Sequence, residues 1–227
     1  MKKIPFRFIN QVFIALSFAL FTSLSFAEPL NLSILKKELE AYHDTGAYQK
    51  ELACVIAQAQ EYILKQAAAN EQLGNRKKKL AIVLDIDETS LSNYPRMAKR
   101  HFNSDSAQVQ KNLLAADAPV IKSMLSLYNN ARQHHVAVFF VTGRPISMLR
   151  ATRTNLLRAG YNHWAGLYFR PDSYSQPTII PFKSQARKSI TNQGYTVIAS
   201  IGDQYSDLQG GYAQRGFKLP NPFYYLP

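Results

Sequence analysis

The amino-acid sequence predicts an α/β protein built on a mainly parallel sheet with helices on both faces. From residue 80 onward, short apolar runs alternate with helical segments, which is typical of parallel strands joined by helical crossovers. The first run, residues 80–84, is an unbroken apolar stretch of the kind expected for a strand buried on both faces. With 227 residues, 46% of them apolar, the chain can bury a sizeable core.

Residues 1–27 have the pattern of a secretory signal peptide. Three basic residues precede an apolar run at 12–21, and Ser25 and Ala27 supply small side chains for a cleavage site. We therefore expect export to the periplasm or the outside of a bacterial cell, with no stable membrane insertion after cleavage. The alternative is an uncleaved membrane anchor, but the apolar run is short for crossing a bilayer and polar residues interrupt it.

The elements that follow the signal fall into two regions. Helical apolar spacing without internal Gly or Pro predicts helices at 30–42 and 48–70, which form an N-terminal helical region over residues 28–78. The core is expected over residues 79–227, with a small cap-like insertion near 93–118, where the chain is polar. Within the core, the pattern predicts helices at 120–132, 146–159, 181–192 and 205–214, and strands at 80–84, 136–141, 166–169 and 196–201.

Composition excludes several classes of protein. The 27 basic and 15 acidic residues give a formal charge of +12, but the basic residues are scattered and no nucleic-acid motif accompanies them. We therefore expect no nucleic-acid partner. The single cysteine excludes an internal disulfide framework and a zinc site built on several thiolates.

Carboxylates follow two of the predicted strands. Asp85 and Asp87 come directly after residues 80–84, and the strand period of two places them on one side of the chain. Asp203 and Asp207 come after residues 196–201. Buried like charges are costly unless a cation or a reaction requires them, and carboxylate oxygens suit Mg²⁺. Since ligands of open α/β sheets bind beyond the carboxyl ends of the strands, these residues predict a metal-assisted site.

The strand at 136–141 ends in Thr142 and Gly143. A hydroxyl, a flexible glycine and the start of a helix coincide there, which is a suitable arrangement for holding an anionic oxygen.

Four motifs in order resemble those of the haloacid dehalogenase (HAD) superfamily of phosphatases. Asp85-Ile86-Asp87-Glu88-Thr89 is similar to the first motif, Thr142 to the second, Lys183 to the third, and Gly202-Asp203 with Asp207 to the fourth. The phrases around these motifs and the ending Leu219-Pro220-Asn221-Pro222-Phe223-Tyr224-Tyr225 look like class C acid phosphatases and plant vegetative-storage acid phosphatases. The resemblance implies a three-layer Rossmann-like fold.

The resemblance also implies an activity. Asp85 would attack the phosphorus of a phosphomonoester to give an aspartyl-phosphate, and Asp87 would act as general acid and base. Thr142, Gly143 and Lys183 would hold the phosphoryl oxygens.

For the metal, the resemblance implies Mg²⁺ bound by Asp85, Asp203 and the backbone carbonyl of Asp87. Asp207 would be either a ligand or a partner of the metal or of Lys183.

Two rivals and one open question accompany this interpretation. Other phosphatase classes fail on position, because Cys54 is followed six residues later by Gln60 rather than Arg, and Arg100-His101 is followed by Phe102 rather than Gly. A non-catalytic storage or phosphate-binding protein on the same fold is the alternative function. The substrate is open; we expect a broad phosphomonoesterase with some preference for nucleoside monophosphates. Tyr94, Phe102, Tyr174 and Tyr205 lie in or near loops that could present an aromatic face to a base, but tyrosines near a sheet edge more often pack in the core or at its rim.

Overall fold

The centre of the protein is a five-stranded sheet within residues 28–226, the part of the chain that the computed structural model describes. Its strands are β1 (Lys79–Leu84), β2 (Ala137–Pro145), β3 (Gly166–Arg170), β4 (Tyr195–Gly202) and β5 (Arg215–Lys218). All neighbours pair in parallel, in the order β3-β2-β1-β4-β5. The predicted α/β fold with a mainly parallel sheet is confirmed. The predicted signal peptide, residues 1–27, lies outside the described residues.

Seven α-helices accompany the sheet in this part of the chain. They are α1 (Leu32–Asp44), α2 (Ala47–Glu71), α3 (Tyr94–Lys99), α4 (Ser106–Leu114), α5 (Lys122–Gln133), α6 (Leu149–Arg158) and α7 (Ile180–Asn192). None of the helices in residues 28–226 has the length and apolar character that crossing a membrane requires. The two N-terminal helices occur close to their predicted bounds, and α3 and α4 lie within the stretch predicted to be a polar insertion.

Alternation along β1 divides the core into two layers. Leu80, Ile82 and Leu84 belong to the apolar cluster that contains the buried faces of α2 and α5. Ala81 and Val83 belong to a second cluster, formed with the buried face of α7. Because successive strand residues point to opposite faces, helices cover both sides of the sheet and the three-layer prediction is confirmed.

The helix predicted at residues 205–214 is wrong. The chain makes only a 3₁₀ turn at Tyr205–Asp207 and then forms β5, which the prediction missed. Gly210 and Gly211 have positive φ angles of 85° and 79°, which a helix cannot contain. The buried Arg187 side chain donates to the backbone carbonyls of Asp207, Gln209 and Gly211. These carbonyls are therefore satisfied by a guanidinium from α7 instead of by helical N–H groups.

Candidate active site

Three of the predicted carboxylates meet at the carboxyl ends of β1 and β4. The backbone N–H of Asp85 donates to the carbonyl of Ile201 at 3.0 Å, which extends the strand pairing by one residue and aligns the two strand ends. Asp85, Asp203 and Asp207 are all buried, and one carboxylate oxygen from each lies within 4.8 Å of the others. The spacing read from the sequence thus places a compact all-oxygen cluster at this edge of the sheet.

Asp207 reaches the cluster because the chain turns tightly after β4. The backbone N–H of Gln204 donates to Asp207 Oδ2 at 2.9 Å, and the Ser200 hydroxyl donates to the Asp207 carbonyl at 2.7 Å. A Cβ atom on Gly202 would lie 2.2 Å from the Asp207 carboxylate. Position 202 therefore requires glycine for the close approach of this carboxylate.

Lys183 is the cation of the cluster. It lies near the start of α7, is 4% exposed, and its Nζ donates to Asp85 Oδ1 at 2.9 Å and to Asp207 Oδ1. Burial acts to lower the pKa of Lys183, but attraction from Asp207 and Asp85 outweighs it, and the net pKa is raised. The ammonium is therefore held in its charged form, where it can attract a phosphate.

Three carboxylates facing one ammonium leave an excess of negative charge. Burial raises the pKa of Asp85 well above its usual range, and repulsion from Asp207 and Asp203 adds to this effect against the attraction of Lys183. Burial and the Asp207 charge raise the pKa of Asp203 to about 6. A divalent cation would remove this excess, and buried carboxylate oxygens are the donors that Mg²⁺ prefers. The residues present therefore fit the predicted metal.

Asp87 has a different set of partners from this cluster. Its oxygens accept from Arg144 Nε at 2.9 Å and Nη2 at 2.6 Å, and Asn93 Nδ2 donates to Oδ1 at 2.7 Å. Burial acts to raise the pKa of Asp87, but the charge and hydrogen bonds of Arg144 outweigh it, and the net pKa is lowered. The side chain does not belong to the metal cluster among the described residues, so any metal role falls to its backbone carbonyl.

Thr142 and Gly143 lie near the end of β2, where Arg144 bonds to both Thr142 and Asp87. The fully buried Thr142 hydroxyl accepts from the Arg144 backbone N–H at 3.1 Å. That bond uses an oxygen lone pair and leaves the hydroxyl hydrogen available to donate. The Gly143 carbonyl accepts from Arg170 Nε at 3.0 Å.

A cavity of about 550 Å³ is lined by five of the predicted site residues, namely Asp85, Asp87, Gly143, Lys183 and Asp203, whereas Thr142 and Asp207 are not among its lining residues. Of the four aromatic residues expected at its mouth, Phe102 and Tyr174 line it. Tyr94 is instead buried and stacks on His43 with ring centroids 3.3 Å apart, while Tyr205 is 63% exposed and contacts Lys218. The cavity also receives aromatic residues from the C-terminal tail, Phe223, Tyr224 and Tyr225.

Residues 28–227 match the profile of the HAD superfamily, subfamily IIIB (acid phosphatase). The chain belongs to this family. Acid phosphatase 1 of Solanum lycopersicum is 33% identical over 183 residues, which cover 79% of this chain and 69% of that protein. The stem 28 kDa glycoprotein of Glycine max is 35% identical over 150 residues, covering 63% of this chain and 59% of that protein. Vegetative storage protein 2 of Arabidopsis thaliana is 32% identical over 149 residues, covering 64% of this chain and 56% of that protein.

Solved structures of acid phosphatases share the fold. The class C acid phosphatase from Bacillus anthracis superposes with a TM-score of 0.65 at 18% identity, covering 86% of each chain. The same protein with tungstate bound gives a TM-score of 0.66 at 20% identity, covering 84% of this chain and 86% of that one.

In this member of HAD subfamily IIIB, sequence reasoning missed three residues around Asp87. Arg144 and Asn93 contact it directly. Glu88 is fully buried with a φ angle of 49° and accepts from the Asn93 backbone and side chain and from the Tyr224 hydroxyl. Burial, with repulsion from Asp87 and Asp203, raises the pKa of Glu88 to about 8. The sequence signal that could have indicated these three residues is their position beside the first and second motifs. The spacing of the motifs does not encode where their side chains point.

Proposed function

We propose that this protein is an exported, Mg²⁺-dependent acid phosphatase that hydrolyses phosphomonoesters through an aspartyl-phosphate on Asp85. The observation that carries the proposal is the position of Asp85. Its carboxylate lies in the cluster with Asp203 and Asp207, accepts a hydrogen bond from Lys183, and borders the cavity of about 550 Å³.

The two aspartates after β1 divide the chemistry between them. Asp85 attacks phosphorus, and the bond to the ester oxygen breaks as the aspartyl-phosphate forms. Asp87 gives a proton to the leaving oxygen and then takes one from the water that cleaves the intermediate. The side chain of Asp87 keeps 23% of its surface exposed, against 6% for Asp85. Asp87 is therefore the one more open to the leaving group and to the attacking water.

The phosphoryl oxygens are held by groups from β2 and α7. Lys183 supplies a positive charge, and Thr142 offers a hydroxyl hydrogen beside the flexible Gly143. Donors fixed before the reaction stabilise developing charge without reorganisation, which is the largest single contribution in many enzymes.

Asp85, Asp203 and the backbone carbonyl of Asp87 would hold Mg²⁺, and Asp207 would support the site from beside Lys183. Bound there, the ion would reduce repulsion between the anionic nucleophile and the anionic substrate. Both oxygens of Asp207 already accept a hydrogen bond, from Lys183 and from the Gln204 backbone. Asp207 therefore orients the phosphate-binding ammonium whether or not it also contacts the metal.

A nucleoside monophosphate is the substrate class that the cavity favours. The volume of the cavity lies within the range of small-molecule sites, and the cavity is larger than a phosphate group alone needs. Phe102, Tyr174 and Tyr225 offer ring surface to a base.

The storage-protein alternative is not favoured. All six motif residues that a phosphatase would need are present: Asp85, Asp87, Thr142, Lys183, Asp203 and Asp207. A storage role does not explain three buried carboxylates around one lysine, because such a cluster costs folding energy without a cation.

Phosphate release from nucleoside monophosphates, sugar phosphates and aryl phosphates, each with and without EDTA, tests the proposal. We expect activity on all three classes, with the highest kcat/KM for nucleoside monophosphates, and loss of activity in EDTA that Mg²⁺ restores. Full activity after EDTA and exhaustive dialysis would remove the metal from the proposal. Absence of phosphate release in Mg²⁺ would favour the storage alternative.

The export part of the proposal has its own test. N-terminal sequencing of the exported protein tests cleavage after Ala27.

A further inference from the structure

The Arg144 guanidinium is held on two sides. Its side chain is 3% exposed. Nε and Nη2 donate to the two oxygens of Asp87, and Nη1 donates to the hydroxyl of Thr152 at 3.0 Å. All three side-chain nitrogens therefore have a partner, two of them on Asp87 and the third on α6.

Thr152 lies on the far side of Arg144 from the reacting groups. It is fully buried on α6 and is not among the residues that line the cavity. Its hydroxyl accepts from Arg144 Nη1, and Arg144 is the residue of this pair that lines the cavity. Any effect of Thr152 on the reaction must pass through Arg144.

The geometry of a guanidinium makes this arrangement directional. Its donors lie in one rigid plane, so fixing one nitrogen from behind fixes the direction of the other two. Those two nitrogens donate to the two oxygens of Asp87, and Asn93 Nδ2 also donates to Oδ1. Without the Thr152 hydroxyl, Arg144 can rotate about its long side chain, and the Asp87 carboxylate loses its fixed orientation.

We propose that Thr152 is a positioning residue for proton transfer, acting through Arg144 on the direction of the Asp87 carboxylate. The inference rests on the proposed role of Asp87. In that step the O–H bond of the Asp87 carboxyl breaks as its proton moves to the ester oxygen, and the electrons of the P–O bond go to that oxygen. Transfers of this kind depend on hydrogen-bond geometry between the acid and the receiving atom.

The test is Thr152→Val, which removes the hydroxyl and keeps the branched shape. The kcat/KM, which reports the step in which the leaving group departs and not the later cleavage of the aspartyl-phosphate, is measured on phosphomonoesters whose leaving groups range from p-nitrophenol to a simple alcohol. Poor leaving groups need a proton from Asp87, whereas p-nitrophenolate leaves without one. We expect kcat/KM to fall about tenfold for the alkyl phosphate, roughly the effect of losing one hydrogen bond, and to change little for p-nitrophenyl phosphate.

Two further variants separate positioning from packing. Thr152→Ser keeps the hydroxyl and should restore the leaving-group pattern of the unmodified protein. Thr154→Val, on the same helix and half-buried, should leave both activities unchanged. If the valine variant does not fold, Thr152→Ala carries the same expectation, with thermal melting as the check on folding.

The outcomes are distinct. An equal loss across leaving groups, or no loss, in a folded Thr152 variant overturns the inference. Asp87→Asn, measured alongside, tests the proposed function itself. If that variant shows no dependence on the leaving group, the proton-transfer role of Asp87 is wrong and the inference fails with it. If Asp87→Asn shows the dependence and Thr152→Val does not, only the inference is wrong.

Discussion

Asp85 and Asp87 are two residues apart after the same strand, yet their surroundings are opposite. Asp85 faces two further carboxylates, and burial with their repulsion raises its pKa. Asp87 faces Arg144, whose charge overcomes the effect of burial and lowers its pKa. Two aspartates separated by one residue therefore suit two chemical roles, because neighbouring elements, rather than the motif, set the charge around each side chain.

This contrast accounts for the different roles proposed for Asp85 and Asp87. The excess negative charge around Asp85 calls for a cation, so that side suits metal binding and phosphate attack. The ionised Asp87 is prepared to take a proton from water. For the donating half of the reaction it must first be protonated, and the negative charge of a bound phosphate raises the pKa of a nearby carboxyl in the direction required.

The largest expected effect comes from Asp85→Asn. We expect turnover to fall on the order of 10⁴-fold or more, because the amide cannot form the covalent intermediate. The metal-free variant should melt no lower than the unmodified protein, because the substitution removes a charge that burial and its neighbours disfavour. Phosphate release and thermal melting measure the two effects. Hydrolysis of an aryl phosphate near the original rate would exclude Asp85 as nucleophile.

Asp87→Asn should have a smaller effect that depends on the leaving group. We expect kcat/KM to fall roughly 10²- to 10⁴-fold for alkyl phosphates, the usual size of general acid–base catalysis. For p-nitrophenyl phosphate, kcat/KM should fall less. Steady-state kinetics across a series of leaving groups measures this. Equal losses throughout the series would mean that the two aspartates do not differ in role as their surroundings indicate.

The sequence predicts the Asp85 side of the site better than the Asp87 side. Asp85 and Asp203 follow apolar strands, and adjacent parallel strands bring their ends together, so periodicity alone predicts that they meet. The pairing of Arg144 with Asp87 joins residues 57 positions apart and depends on side-chain directions that no local pattern encodes. The missed strand β5 has the same cause, because Arg187 from α7 holds the carbonyls of the preceding turn.

Asn221→Ala tests how far the Asp85 side depends on the C-terminal tail. Asn221 Nδ2 donates to Asp203 Oδ2 at 2.6 Å, and its own Oδ1 accepts from the Phe223 backbone at 2.9 Å. We expect Mg²⁺ affinity to fall about 10- to 100-fold, as when a partner of a metal ligand is lost, with little change in kcat at saturating Mg²⁺. Calorimetric titration measures it, with Asn192→Ala on the exposed end of α7 as control. Unchanged affinity would show that the tail does not support the metal site.

The smallest expected effect is a pH dependence of stability that reverses when metal binds. In metal-free protein the pKa of Asp203 is raised to about 6, so between pH 4 and 6 the folded state holds a proton that the unfolded chain has released. The free energy of unfolding therefore falls as pH rises through this window.

Asp203→Asn removes that contribution. The variant should match the stability of the unmodified protein near pH 4 but exceed it by about 1–3 kcal/mol at pH 7. In saturating Mg²⁺ the sign reverses, because the bound metal holds the Asp203 pKa below its unfolded value, and the unmodified protein should lose stability as pH drops below about 4. Urea unfolding of both proteins, with EDTA and with Mg²⁺, measures the difference. A metal-free Asp203→Asn variant that is less stable at pH 7 would contradict the charge excess on the Asp85 side.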